Sequence, residues 1–448
     1  MRNSDKIDNS KEVKDLLNQL EKEKNKLVEK KEILKPKPLP SLTNEEIPFE
    51  IPTNWIWVRL NDISIIQEGP GIRKSQYSDA GVQFLTVTNI LEGCVDLEKS
   101  EKYISNEEYQ LKYKHFTINK GDIVSSCSGA TWGKTAIYNS DDLIILNTST
   151  LRLRFFGDKG NNKYLYFLTK AGFFKKQLSV HSTGQQANFG NSHYSLIAIP
   201  LPPLPEQQRI VSILDEAFYS IEQAKENLQR NLQNAKELFQ SELNSIFTNK
   251  GEGWEEKKLD EVCEISSKLI DPKQEEFQNL IHIGAGNIVS EKGSLIDLKT
   301  AKEEELISGK FLFDESMVLY SKIRPYLIKI VKCEFNGLCS ADIYPLVLFS
   351  DKMTRDFLYY LLYTKKFTDY AILGSQRAGM PKVNRTHLFD FKFLLPPIKQ
   401  QISITEKLDK LSTETKRLEA MYQQKLDALE ELKKSILQKA FSGELSEN

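Results

Sequence analysis

The sequence predicts an α+β chain: two mixed α/β globular domains separated by two long antiparallel coiled-coil helices, in a pseudo-twofold tandem repeat. Three observations carry this. The stretch from Leu201 recurs 194 positions later without a gap. Each copy opens on prolines and continues in a heptad pattern. Short β-rich runs bounded by turn residues precede each copy.

The repeat is dense in its helical part. Leu201, Pro202, Pro203, Gln207, Ile210, Leu214, Asp215, Gln229, Leu232, Leu238, Ser241, Leu243 and Phe247 meet identical residues from Leu395 to Phe441. An ungapped register over that distance belongs to a helix whose length matters. The globular parts repeat loosely: Trp55 and Leu60 match Trp254 and Leu259, and Asn89-Ile90 matches Asn287-Ile288. The expected organisation is an N-terminal helical segment (1–40), a first globular domain (41–200), a first helical region (201–250), a second globular domain (251–394) and a second helical region (395–448).

In the N-terminal segment Val13, Leu20, Leu27 and Leu34, with Leu17, recur at heptad spacing before "KPKPLP" breaks the helix. This piece is expected to lie beside the C-terminal helix. In the globular domains "VQFLTVTNI", "LIILNTSTLRLRFF" and "YPLVLF" read as strands. "KYLYFLTKAGFFKKQL" and "TRDFLYYLLYTKKFTDYAI" each read as an amphipathic helix whose aromatics pack inward.

The coiled-coil seam is expected at Leu214, Phe218, Ile221, Leu228 and Leu232 in the first helix, interrupted by Lys225 and Glu242. In the second it falls at Leu408, Leu411, Leu418, Tyr422 and Leu429, with Leu432 on the same rows. Each helix would run about 40 residues, or roughly 60 Å. The second start has Lys399-Gln400 where the first has Pro205-Glu206. It therefore lacks a proline and an acid that suit a first turn, and is expected to be looser or held by a partner.

Composition narrows the function classes. No apolar run approaches a membrane span, and the N-terminus lacks the apolar core of a signal peptide, so a cytoplasmic location and no membrane partner are expected. The five cysteines and five histidines are scattered, so no metal site is expected. The net charge of -1 conceals basic windows: residues 118–200 hold nine Lys/Arg against four Asp/Glu, and 317–384 hold ten against five. Basic faces of that kind suit nucleic acid.

Catalytic motifs are missing. There is no P-loop, Gly284-Ala285-Gly286 lacks a third glycine, and neither Asn-Pro-Pro-aromatic nor Gly-x-Ser-x-Gly occurs, so no catalytic residue and no cofactor are assigned. What remains is binding equipment at matching places. "HSTGQQANFGNSHY" carries Thr183, Gln185, Gln186 and Asn188, and "GSQRAGMPKVNRTH" carries Gln376, Arg377, Lys382, Asn384 and Arg385. An earlier pair of loops sets Ser125, Ser126, Thr131 and Lys134 against Tyr320, Lys322, Arg324 and Tyr326. Asn and Gln can pair bidentately with adenine, and Arg with guanine or phosphate, so these residues are the expected DNA contacts. The competing reading is a coiled-coil scaffold whose two globular domains bind protein, and apolar loops at these places would favour it.

The paired "PLPPLPEQQRIVSILDEAF" and "LPPIKQQISITEKLD" starts, the closing "LKKSILQKAFSGEL" and the "KPKPLPSLTNEEIPFEIPTNWIWVRL" lead-in resemble the specificity subunit of type I restriction-modification systems. The resemblance spans essentially the whole chain. It implies two target recognition domains, each reading one half of a bipartite double-stranded DNA target, with the helices setting the spacer. It further implies a non-catalytic chain that docks two modification (methyltransferase) subunits. Those subunits carry S-adenosylmethionine and methylate adenine, and restriction (translocase/endonuclease) subunits join the complex for cleavage.

Overall fold

The computed structural model describes residues 11–35, 38–157, 159–181, 187–266, 269–349, 351–376 and 380–445. The chain packs as two units: Met1–Glu226 with Leu426–Asn448, and Asn227–Lys425. Each contains one globular domain and part of each long helix. No described helix is long and apolar enough to cross a membrane.

The long helices are Leu204–Thr248 and Ile398–Ser442, 45 residues each, about 68 Å at 1.5 Å per residue. Their starts (204 and 398) and their ends (248 and 442) are both offset by the repeat distance of the sequence. The ungapped repeat is therefore a repeat of one complete helix.

In the first unit Arg209 donates to the Leu445 carbonyl, Lys433 lies over the Phe218 ring and Lys225 pairs with Glu430 at 2.8 Å. The partners descend in number as the first helix advances, the mark of antiparallel packing. In the second unit Glu242 pairs with Lys407, and Leu243, Phe247 and Leu408 are buried in one core. Both interruptions of the predicted seam are thus cross-helix ion pairs. Of the seam residues, Leu214, Ile221 and Leu408 are buried, while Phe218, Leu228, Leu232, Leu411, Leu418, Tyr422 and Leu429 are half-buried. Leu432 departs from the expected row and is exposed.

The N-terminal helix, Lys11–Glu29, buries Val13, Leu16 and Leu20 in the core that also holds Leu437, Ala440 and Phe441. It stops well before the prolines, because Lys31 turns left-handed (φ 59°) and the Glu32 amide folds back onto the Leu27 carbonyl. Leu34 is left 92% exposed, so the heptad row does not extend to it.

Each globular domain is closed where its strands meet the helix. Ile56–Arg59 pairs antiparallel with Ala198–Leu201, and Glu255–Lys258 with Lys392–Leu395. Pro200 is tolerated here because a two-stranded pair leaves an unbonded edge. Beyond the pair stand equivalent four-stranded antiparallel sheets. One is ordered Ser64–Glu68, Thr150–Phe155, Ile123–Ser126, Thr135–Ile137; the other Cys263–Ile265, Ile343–Leu348, Val318–Ser321, Ile330–Lys332. A second sheet in each domain holds a parallel pair, Val82–Phe84 with Ile144–Ile145 and Ile281–Ile283 with Gly337–Cys339. In the second domain this sheet has five strands against three.

Local chemistry divides several runs that read as single elements. "LIILNTSTLRLRFF" becomes strands in two different sheets, because Asn147 accepts from the Ser149 amide and turns the chain between them. "KYLYFLTKAGFFKKQL" becomes helices Asn162–Lys170 and Gly172–Ser179, with Ala171 extended (ψ 142°) between them. In the second domain Thr364 (ψ 146°) separates Arg355–Tyr363 from Lys365–Leu373, its hydroxyl capping the Phe367 amide at 3.2 Å. The aromatics face inward as expected: Tyr164, Phe167, Phe357 and Tyr360 are buried. "VQFLTVTNI" is a strand only to Phe84, after which Asn89 staples a loop by accepting from the Thr86 amide and donating to the carbonyls of Asp96 and Ser100. Its repeat partner Asn287 does the same between Gly284 and the carbonyls of Ile296 and Asp297.

Candidate nucleic-acid interface

The two loops singled out in each domain, some sixty residues apart in sequence, meet in space. In the first domain the hairpin Ile123–Ser126/Thr135–Ile137 closes through the Ser126 amide to the Lys134 carbonyl (2.9 Å) and the Gly133 amide to the Ser126 carbonyl (2.8 Å). Gly129 (φ 75°) and Gly133 (φ 77°) supply the left-handed residues this tip requires. The later loop lies beside it as a short ribbon. Phe189 donates to the Cys127 carbonyl at 2.8 Å, Gly129 donates to the Ala187 carbonyl at 3.0 Å, and Asn188 stands opposite Ser128. Trp132 anchors the junction, its ring 4.7 Å from that of Phe189.

The second domain builds the same junction from other residues. Between Val318–Ser321 and Ile330–Lys332 a single 3-10 turn, Pro325–Leu327, is flanked by Arg324 (φ 49°) and Ile328 (φ 44°), both left-handed. Holding a non-glycine residue there costs about 1–2 kcal/mol, which the surrounding bonds must offset. Arg324 donates to the Pro381 carbonyl at 2.9 Å, Val383 donates to the Lys322 carbonyl at 2.8 Å, and Ile323 stands opposite Lys382.

Burial then sorts the expected contacts. Ser125 and Ser126 are fully buried, their hydroxyls bonded to the Tyr194 hydroxyl and the Thr131 carbonyl, so they hold the hairpin and have no surface to offer a base. Tyr320 is 2% exposed and packs on Phe367, which removes it from the interface as well. The sequence sets all three in loops, but they lie on strands Ile123–Ser126 and Val318–Ser321, which are buried at every position.

Asn188, Arg324, Tyr326, Gln376, Asn384 and Arg385 are exposed, and Thr131, Lys134, Lys322 and Lys382 half-buried. Thr183, Gln185, Gln186 and Arg377 lie outside the described residues. Lys382 pairs with Asp342 at 3.0 Å, and Lys322 lies over the Tyr344 ring at 5.2 Å. The Asn384 oxygen accepts from the His387 amide, capping the short helix that follows. Arg324 and Arg385 make no ion pair among the described residues, so their guanidiniums are free to bind. Burial raises the Tyr344 hydroxyl, an effect Arg385 partly offsets by its charge; neutral Tyr344 donates to the Val383 carbonyl at 3.0 Å and braces the ribbon from below.

Two residues escaped sequence reasoning. Val180 follows the helix Gly172–Ser179 and Leu373 ends the equivalent helix Lys365–Leu373, just before the later loops, and they are 72% and 69% exposed. Both fall just past the runs that read as amphipathic helices, where an isolated apolar residue carries no signal; only placement shows it facing outward. Chemically, the described part of each junction offers amide or guanidinium donors, and an exposed apolar side chain precedes each later loop.

A family model for the type I restriction modification DNA specificity domain matches residues 52–230 and again 251–430. The EcoDI specificity subunit of Escherichia coli is 29% identical over 318 residues, 63% of this chain and 70% of that protein. The EcoAI specificity subunit, also from Escherichia coli, is 27% identical over 48% of this chain, an alignment that reaches 37% of its own length. Among solved structures, a chain of a type I R-M system complex superposes with a TM-score of 0.71 at 19% identity, and the HsdS subunit from Thermoanaerobacter tengcongensis with 0.56 at 20%. Each comparison covers 89% of this chain and all of the other, and shows a shared fold.

Proposed function

Because the chain belongs to the type I restriction-modification DNA specificity family, matched once in each half, we propose that each globular domain reads one half of a bipartite double-stranded DNA target through its two-loop junction. The observation that carries this reading is the repeated junction itself: two sequence-distant loops, rich in donors, joined at the same place in both domains. Arg324 and Arg385 suit guanine or phosphate, and Asn188 suits adenine. Since the two junctions differ, the two half-targets differ.

The helices of equal length set the unread spacer and dock two adenine-modifying subunits. Those subunits hold S-adenosylmethionine and perform the methyl transfer, and restriction subunits complete the nuclease form. This chain supplies address without chemistry, in a cytoplasmic complex.

The test is co-expression with the cognate modification subunit, followed by genome-wide mapping of methylated adenine. One bipartite sequence is expected. Methylation blind to sequence would overturn the reading, and would favour a protein-binding scaffold in its place.

A further inference from the structure

The sequence repeat holds a buried polar residue that the reading function does not use. Gln207 and Gln401 occupy matching positions, eight residues before Asp215 and Asp409, and both glutamines are fully buried. Gln207 donates to the Pro202 carbonyl at 3.0 Å and accepts from the Asn161 amide at 3.1 Å. Gln401 donates to the Pro396 carbonyl at 2.9 Å and accepts from the Thr354 amide at 2.8 Å, with a further bond to the Lys352 carbonyl. Asn161 and Thr354 are the N-caps of equivalent helices, Asn162–Lys170 and Arg355–Tyr363. One amide side chain thus joins the first turn of each long helix to the domain seated on it.

Two turns further on the aspartates make a second tie to the same domain helices. Lys163 reaches Asp215 at 2.6 Å, and Tyr360 reaches Asp409 at 2.6 Å. Apolar contacts between helices fit in more than one ridge-and-groove setting, so the packing of Phe167 on Phe218 or Phe247 on Phe357 does not by itself select one register. A buried amide does. If the helix slid or turned, its donor and acceptor would lose their partners together, and so would the proline carbonyl and the N-cap amide.

We propose that Gln207 and Gln401 are positioning residues that fix each reading domain in one register on its long helix, and so fix the permitted spacer length. The inference rests on the bipartite reading above. Its test uses the complex with the modification subunit and DNA duplexes carrying the native target or the same half-targets with the spacer one base pair longer or shorter. Gln207→Met keeps the volume and removes both hydrogen bonds. Methylation of altered-spacer duplexes relative to native should rise about tenfold, the worth of about one net hydrogen bond, with base preference in each half-target unchanged. Gln207→Glu keeps the acceptor and should rise less. Asp215→Asn, at an exposed site, should shift the ratio in the same direction by a smaller factor, and it carries the test if the buried variants do not assemble. Unchanged spacer discrimination in an assembled variant, or loss of half-target preference along with it, overturns the proposal. Absence of bipartite methylation by the unaltered complex instead overturns the earlier reading.

Discussion

In the first domain the surface ribbon turns on Gly129 and Gly133 and presents Asn188 opposite Ser128; in the second it turns on Arg324 and Ile328 and presents two guanidiniums. Beneath the ribbons the frames share residues at several structural positions. Asn89 and Asn287 staple matching loops, Gln207 and Gln401 make matching bonds, and Phe247 and Phe441 close matching cores. The contrast separates two constraints. A frame must satisfy its own buried polar groups and fill its own core, and at these positions both halves meet that demand with the same residues. A reading surface answers to something outside the chain, and is free to differ.

The largest test of this comparison removes the matched aromatics. Phe441 is fully buried against Tyr164, with ring centroids 5.5 Å apart, and Phe247 lies 4.8 Å from Phe357. Phe441→Ala should cost about 3–5 kcal/mol. Hydrogen exchange should show the loss in Ile56–Arg59 and Ala198–Leu201, while Phe247→Ala should expose Glu255–Lys258 and Lys392–Leu395. Equal loss everywhere in both variants would mean that the two units do not unfold separately.

Next in size is the reading surface. Arg324→Ala should cost about 1–3 kcal/mol of discrimination in one half-target and leave the other untouched, measured by competition with duplexes changed at single positions. A uniform loss at all positions, with a shallower salt dependence, would make Arg324 a phosphate contact.

A smaller break lies at one helix end. Gly443 follows the last helix at φ 83°, where an added Cβ would stand 2.2 Å from Pro52 Cγ; the matching position after the first helix is Asn249. Gly443→Ala should cost about 1–2 kcal/mol, read as a lowered Tm of the first unit.

The smallest effect is electrostatic. The Lys225 hydrogen bond lowers Glu430, and the Glu430 hydrogen bond raises Lys225. The glutamate's contribution is present above the ordinary carboxylate range and fades as pH falls through its depressed value. The lysine's is present at neutral pH and fades as pH rises through its elevated value. Both groups are a third or more exposed, so the pair is worth about 0.2–0.5 kcal/mol, and Glu430→Gln should remove only this pair's share of the acid-side slope in stability.

Much of this was open to reading in the chain. The repeat located both helices because a long helix with one apolar seam must carry a regular pattern, and an ungapped copy keeps its length. The loops of the candidate interface stand out by residue type and by matching position, and the structure brings the two of each domain together. Their inner members were misjudged: Ser125, Ser126 and Tyr320 have the right chemistry for a base but end strands whose two faces are covered. Val180 and Leu373 stand just past the runs that read as helices, and a lone apolar residue there carries no sign of whether it is covered.

What the sequence by itself determined is therefore what periodicity and repetition encode: two domains, two equal helices, a seam, and a chain without catalytic motifs. Tertiary structure alone decided which loops touch, which polar groups are spent inside, and what Gln207 and Gln401 hold. The reason is physical. Helical pattern is a local property repeated every few residues, whereas a hydrogen bond between Gln207 and Asn161 joins positions 46 apart, and nothing local to either names the other.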